Sequence, residues 1–558
     1  MSRAVLLSLV SLVACGGARG TDADTDGAGS GSSGGSTGAP LWAEENCALA
    51  NPAPYPPANT YMSNHVAREN DNYIPCAGPR ALEFAWHVLQ THASAQPNTF
   101  SSDGAVTYLT TTPGDDGCNA FAVDTRDGAV LWKRCDLPFA VIASTIDVDE
   151  RGDLYLTAAD TVRALDPATG ADRWVVTLPD RSEVGTSYGL KFTADGHLVT
   201  QVSDGTVYLL SRTDGAIVAS LDVAAETGFV PAAPTDVPLD QAPAYVLERL
   251  RKLVGDAYFD EALAGLGGVL GASGGFADNT VCTTARRQVL TVGGGPDDQT
   301  GAAVALDITG TAESPVLKFR WAMPLAAGSA SSVVASRDGA RAVLGDGNGH
   351  VHMIDVLACD ANTDADADPL RCAPAWVFEH PGGKLLGTVS LDADGTVYAF
   401  VNGAERVEEI YALGDGGDQP IVKWAADYGP IAQMTTVLTV SEDAIYGVLS
   451  QVEPQLTIGA LTLPKAVTNE VVVIDKATGE VVFREPTPDS SLTELIVSPR
   501  GDVFLTALGI YEVLTLDPAA RDPIGGLRKY VERVENRTFG GRRAAGGARG
   551  GESGSRPL

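Results

Sequence analysis

The acidic run Cys359-Asp360-Ala361-Asn362-Thr363-Asp364-Ala365-Asp366-Ala367-Asp368 puts an oxygen-bearing side chain at every second position. A hard cation such as Ca2+ collects roughly six to eight oxygen ligands, and alternating acidic side chains are one way for a loop to supply them. Asp360, Asn362, Asp364, Asp366 and Asp368 are therefore the candidate metal ligands. Two positions weaken that chemistry: Ala365 stands where such a loop needs Gly for its bend, and Arg371 where a bidentate Glu would complete the set. A plain solvated acidic loop, clamped by Cys359 and Cys372, is the simpler expectation. His350 and His352 alternate, so on a strand they share a face. The local motif offers them no third ligand, and a structural role is expected. His65, His87, His92, His197 and His380 are scattered. The chain has no Gly-x-Ser-x-Gly elbow, phosphate-binding loop or zinc-finger spacing, and no catalytic residue is assigned.

Residues 1–14 carry one Arg and then a short apolar run, too brief to span a bilayer but suited to a signal peptide. The run ends in Leu12-Val13-Ala14-Cys15, which resembles the lipobox of bacterial lipoproteins. That resemblance implies acylation of Cys15 and a lipid anchor. Gly16, rather than Asp, after the Cys points by the same analogy to the outer membrane, on a side the sequence does not specify. Residues 16–40 are almost devoid of apolar side chains and read as a flexible tether. Export permits disulfides among the remaining cysteines. Cys118 and Cys135 flank one predicted hairpin symmetrically, Cys359 and Cys372 bracket another, and Cys47 and Cys76 share a Pro-rich lead-in over 41–80. Cys282 is left as a buried free thiol. A formal charge of −32 repels a phosphate backbone and argues against nucleic acid as a partner.

The elements behind these residues are short strands with turn punctuation. One phrase recurs: Ala122-Val123-Asp124 through Gly128 to Trp132, Ala164-Leu165-Asp166 through Gly170 to Trp174, Leu209-Leu210-Ser211 through Gly215 to Ala219, and Val473-Ile474-Asp475 through Gly479 to Phe483. Copies with longer turns lead to Trp321, Trp376 and Trp424. An eighth, Leu514-Thr515-Leu516-Asp517-Pro518, lacks its Trp, while a Trp strand around Trp86 precedes the first copy. Asp-Gly-like turns such as Asp195-Gly196 and Asp394-Gly395 precede a second series of strands. The period, roughly 45–60 residues, is that of propeller blades. The expected fold is an all-β, eight-bladed β-propeller of four-stranded antiparallel blades over 81–520, closed by an N-terminal outer strand. Seven blades remain open if the third copy is degenerate. An insertion over 224–280 is expected to carry a helix with Asp240 as cap, Leu247, Leu250 and Val254 on one face and Gly255 as stop, then a second short helix over 257–266. The basic Gly/Arg-rich tail 521–558 reads as disordered.

The phrase resembles the repeat of the quinoprotein-like propellers, a superfamily that includes the pyrroloquinoline-quinone (PQQ) dehydrogenases and the propeller lipoprotein of outer-membrane assembly. The resemblance implies fold rather than activity. The chain lacks the adjacent cysteines of the alcohol-type dehydrogenases and any Cys-x-x-Cys-His haem motif. No cofactor is expected, PQQ included, with Ca2+ the one candidate ion. Strands A to D run outwards from the ring axis, so D–A and B–C loops share one face. The insertions 224–280 and 451–469 lie there, and the acidic loop lies opposite. The function expected is a non-catalytic cell-envelope lipoprotein, a scaffold binding a protein or envelope ligand through the insert-bearing face. The alternative is a PQQ-dependent dehydrogenase-like enzyme.

Overall fold

In the computed structural model, Cys47 and, apart from short internal stretches, residues 50–533 are described; the longer stretches left out are 180–188, 229–240, 260–279 and 363–371. The strands form eight antiparallel sheets, each a blade of a β-propeller. Blade one runs Thr99–Phe100, Val106–Thr110, Ala120–Asp124 and Val130–Arg134 as strands A to D. The pattern repeats with A strands at Asp147–Val148, Lys191–Phe192, Cys282–Thr283, Val334–Ala335, Ser390–Leu391, Thr439–Val440 and Ile496–Val497. Blades six and seven each take one extra short strand, Gly383–Lys384 and Ala432–Met434.

The repeated phrase is a C–D hairpin with a built-in bulge. The register shifts at Ala122/Val123, Ala164/Leu165, Leu209/Leu210, Ala305/Leu306, Ala412/Leu413 and Val473/Ile474, the same place in six blades. The bulge sets Trp132, Trp174, Trp321 and Trp424 opposite the residue just before it. Each Trp then leans on the next blade. The Trp132 indole N–H donates to the Pro167 carbonyl at 2.9 Å, Trp174 to Arg212 at 3.1 Å, and Trp424 to Lys476 at 3.0 Å. In two blades the same N–H finds a carboxylate instead: Trp321 to Asp360 at 3.0 Å and Trp376 to Asp415 at 2.9 Å.

The turn glycine therefore has two jobs. Gly170 has φ +70°, and a Cβ there would lie 2.7 Å from the Trp132 ring; Gly215 and Gly479 meet Trp174 and Trp424 in the same way. Gly is required for the turn and again for the neighbour's indole.

The ring closes through the chain's beginning. Strand Leu82–Val88 is the outer strand of blade eight and pairs with Gly526–Glu532, with Trp86 opposite Lys529. This corrects two readings. The phrase at 514–518 is not the third strand of blade eight: Ile510–Leu514 is a helix and the strand begins at Gly526. The propeller accordingly continues past 520 into the stretch read as a disordered tail. Two basic residues of that stretch are held inside, Arg528 facing Asp489 at 3.6 Å and Lys529 facing Asp502 at 2.7 Å.

Gly170→Ala tests the contact between blades. Gly152 has a similar φ of +82° but open space around its Cβ position, so Gly152→Ala reports the backbone penalty alone. Gly170→Ala should lose about 1–3 kcal/mol more than Gly152→Ala in urea unfolding, the usual scale of overpacking. Equal losses would mean that Trp132 does not depend on the missing side chain.

Candidate functional site

The axis is where the eight A strands converge, and each presents an inner edge of backbone N–H groups that no blade can pair. Residues 61–76 fill it. Every residue from Tyr61 to Cys76 is buried although half of them are polar. The segment hands its carbonyls round the ring: Met62 accepts from Val148 N–H at 2.9 Å in blade two, Arg68 from Thr283 at 2.8 Å in blade four, Glu69 from Ala335 at 2.8 Å in blade five, Asp71 from Leu391 at 2.9 Å in blade six and Asn72 from Val440 at 2.9 Å in blade seven. Asn70 donates its amide to the Thr280 and Val333 carbonyls at 3.1 and 3.0 Å, and Asn72 to Val389 at 3.2 Å. In blade three the Lys191 ammonium donates to Ser63 Oγ at 3.1 Å and the Ala67 carbonyl at 2.7 Å. Following the ring makes the segment turn tightly. His65, Val66, Asn70 and Asn72 all have positive φ, and a β-branched Val at +75° persists only where its surroundings fix it.

Burial dominates the electrostatics of this plug. It pushes the Glu69 carboxyl up to about 7 against the pull of Arg68, whose Nε donates to Glu69 Oε1 at 2.8 Å; Glu69 Oε2 has no partner among the described residues. It pushes the Asp147 carboxyl up to about 8 against Lys191, and holds the Lys191 ammonium down to about 8. Cys282 is a buried free thiol with its Sγ 3.4 Å from the Glu69 carbonyl. On the A–B side the plug walls one recess of about 390 Å3 between blades five and six, lined by Asp71, Tyr73, Arg337, Arg341, Asp392 and Asp394 among others. Its charges are already paired, Arg337 with Asp71 at 3.3 Å, Arg341 with Asp415 at 3.2 Å and Lys476 with Asp392 at 3.4 Å.

The opposite face carries the insertions. Helix Ala244–Val254 buries Val246, Leu250, Leu253 and Val254, an i, i+4, i+7, i+8 stripe, and stops at Gly255 with φ +86° as expected. Its N-cap is Pro243; Asp240 lies outside the described residues, as does the second helix over 257–266 apart from Phe259. The stripe packs against Leu508, Ile510, Val513 and Leu514 of blade eight and Leu463 of blade seven. Arg249 donates to the carbonyls of Thr515, Asp517 and Ala520, satisfying the end of helix Ile510–Leu514. Tyr245 Oη donates to Leu516 at 2.7 Å, and Thr112 of blade one donates to Leu253 at 3.2 Å. A loop that leaves blade three and returns at blade four thus reaches blades seven, eight and one. Beside it, strands Ala444–Ile458 and Leu461–Asp475 continue as a long hairpin with Leu456 exposed.

The residues singled out in the sequence fare differently. The bonds Cys47–Cys76, Cys118–Cys135 and Cys359–Cys372 are present. Asp360 ends up inside the joint between blades four and five, accepting from Trp321 and, at 3.0 Å, from Gln288 Nε2. Asn362 follows the short helix Val356–Ala361, while Asp364, Asp366, Asp368 and the lipobox Cys15 lie outside the described residues. Sequence reasoning missed the plug: Asn, Asp, Glu and Arg in a Pro-rich lead-in signal exposure, and nothing local shows that blades will pair them. Among the described residues no helix is long and apolar enough to cross a membrane.

No family model and no curated relative matches the sequence. Solved structures do resemble the fold. The quinohemoprotein alcohol dehydrogenase from Comamonas testosteroni aligns with a TM-score of 0.52 at 12% identity, over 90% of this chain and 82% of that one. The quinohemoprotein alcohol dehydrogenase ADHIIG from Pseudomonas putida HK5 gives 0.52 at 14%, with the same coverage. BamB from Moraxella catarrhalis gives 0.46 at 13%, over 81% and 99%. At such identities the likeness is one of fold alone. A planar cofactor on the axis would have to displace residues 61–76 and their hydrogen bonds to five blades.

The plug makes a pH prediction. Glu69 keeps its proton in the folded protein up to about pH 7, whereas the unfolded chain releases it near 4.5. Between those values the folded state holds the extra proton, so this group's contribution to stability falls as pH rises and levels off above about 7. Glu69→Gln cannot ionise. Its unfolding free energy in urea should gain on the wild type as pH goes from about 4.5 to about 7, by about 3 kcal/mol. A difference independent of pH would show that Glu69 is charged in place.

Proposed function

We propose that the protein is an exported, lipid-anchored scaffold of the cell envelope, which binds a protein or envelope ligand through the face bearing the helix Ala244–Val254 and the hairpin of blade seven. The observation that carries this reading is the filled axis. A propeller that closes its own channel with its own polar chain has moved its available surface outwards, to the loops. The helix Ala244–Val254 and the base of the blade-seven hairpin are held in place. Asn469, at the base of the long hairpin, donates to Glu512 of the helix Ile510–Leu514 at 2.7 Å and accepts from Ser450 at 2.6 Å. A rigid platform loses little entropy when a partner docks. Since the apolar stripe of Ala244–Val254 is already covered, the partner meets the far end of the hairpin, around the exposed Leu456. Three disulfides agree with an oxidising compartment, and the lipid anchor rests on Cys15 and the tether behind it.

A photoreactive residue placed at 456 should give cross-linked partner adducts in intact cells, and one placed at 422, exposed on the outer strand of blade six, should not. Adducts at 422 alone would move the binding surface to the rim of the ring. Cys15→Ala should release the protein from the membrane fraction; a variant that stays there would overturn the anchor.

A further inference from the structure

The B–C turn of blade five joins Arg341–Gly345 to Val351–Asp355 and brings together three groups that the sequence leaves separate. Asp346 organises the turn. Its Oδ1 accepts the backbone N–H of Asn348 at 2.9 Å and of His350 at 3.0 Å, and Gly349 takes φ +82°. That grip directs Oδ2 at the two imidazoles. His352 Nε2 lies 2.9 Å from Oδ2 and His350 Nδ1 lies 3.5 Å from it. One ligand atom from each of the three residues is within 4.8 Å of the others.

We infer that Asp346, His350 and His352 form a binding site for a borderline divalent cation, Zn2+ foremost. Zn2+ holds imidazole nitrogen and carboxylate oxygen at roughly 2.0–2.2 Å in a tetrahedron. The edges of such a tetrahedron are roughly 3.3 Å by simple geometry, and the two observed separations bracket that length. Charge points the same way. Asp346 is fully buried, and among the described residues its only ion-pair partners are the two imidazoles; no Lys or Arg reaches it. A buried carboxylate without a cation is costly, and a divalent ion supplies one. A hydrogen bond alone is a weaker account, because it leaves His350 too far away to bond well.

Two His and one carboxylate make three protein ligands, the number that leaves a tetrahedral ion one position for water or another donor. His350 is the most exposed of the three, so that position opens toward solvent beside the loop whose Gly328 carbonyl accepts from Gly347 at 2.7 Å. The site is on the same face as the helix Ala244–Val254, yet it stands on the turn of blade five alone and does not depend on partner binding.

The test uses the tag-free mature protein, stripped with a chelator and titrated with Zn2+ by calorimetry and with Co2+ by visible absorption. One equivalent of Zn2+ should bind, and Co2+ should show the intense bands of tetrahedral coordination. His350→Ala, at the exposed ligand, should weaken Zn2+ binding at least tenfold with an unchanged urea midpoint of the metal-free protein. His352→Gln should do the same while keeping the side chain's bulk. Absence of binding by the wild type, or unchanged affinity in both variants, would overturn the site.

Discussion

The structure depends on one pairing, that of Leu82–Val88 with Gly526–Glu532. Without it, blade eight would end in an exposed edge and the turn of blade one would lose the neighbour that covers it. A Cβ at Gly128 would meet Val88 at 2.6 Å and Trp86 at 3.3 Å, so the closing strand performs for blade one what Trp132 performs for blade two. The seam repeats the packing of an outer strand on a turn glycine, although the Trp86 indole N–H has no acceptor among the described residues. The seam's partners are more than four hundred residues apart in sequence, so closing it costs the loop entropy between them. Because the plug immediately precedes the closing strand, the step that shuts the ring also seats 61–76 on the axis. Gly78 N–H on Asp443 at 2.9 Å and Arg80 on Asp475 at 2.5 Å pin the link between the two.

A polar plug follows from the geometry of the hole. Eight short A strands point unpaired N–H groups and carbonyls at a common axis, and an apolar filling would leave them unsatisfied at a cost of about 1–3 kcal/mol each. A peptide running round the ring supplies carbonyls, and its Asn side chains, with two donors and an acceptor, match the carbonyls left over. Charges buried in the process are costly. Burial raises Glu69 and Asp147 and lowers Lys191, the direction that favours the neutral form of each. Such groups contribute little net stability and fix instead which residue faces which blade.

How far the sequence could be read follows the same division between local and long-range causes. The Asp-to-Trp hairpins were legible because turn glycine, bulge and indole sit within one repeat. Blade eight was legible in its outer strand, through Trp86, and illegible in its third, where Arg528 and Lys529 mimic a solvated tail until Asp489 and Asp502 are brought up against them. The plug left no periodicity to read, since its burial is imposed by five blades rather than by its own pattern. His350 and His352 were visible as an alternating pair, but Asp346 lies across a turn, outside the alternation. Asp360 drew attention as a candidate metal ligand, and it accepts from Trp321, the same duty that Asp415 performs for Trp376.

These placements separate two uses of polar side chains that look alike in one dimension. Where a polar residue answers a neighbouring blade, as Asp360 and Arg249 do, its hydrogen bonds lie within the chain and it holds the scaffold together. Where a buried polar atom is aimed at others of its kind with no opposite charge supplied, as in the turn Asp346 to His352, the chain has left the compensation to something it binds. The first kind is found in the joints between blades, while the axis mixes it with unpartnered atoms such as Glu69 Oε2 and Asn70 Oδ1. The closed interior makes the ring rigid, and that rigidity keeps the turn from Asp346 to His350 in a single geometry at the surface.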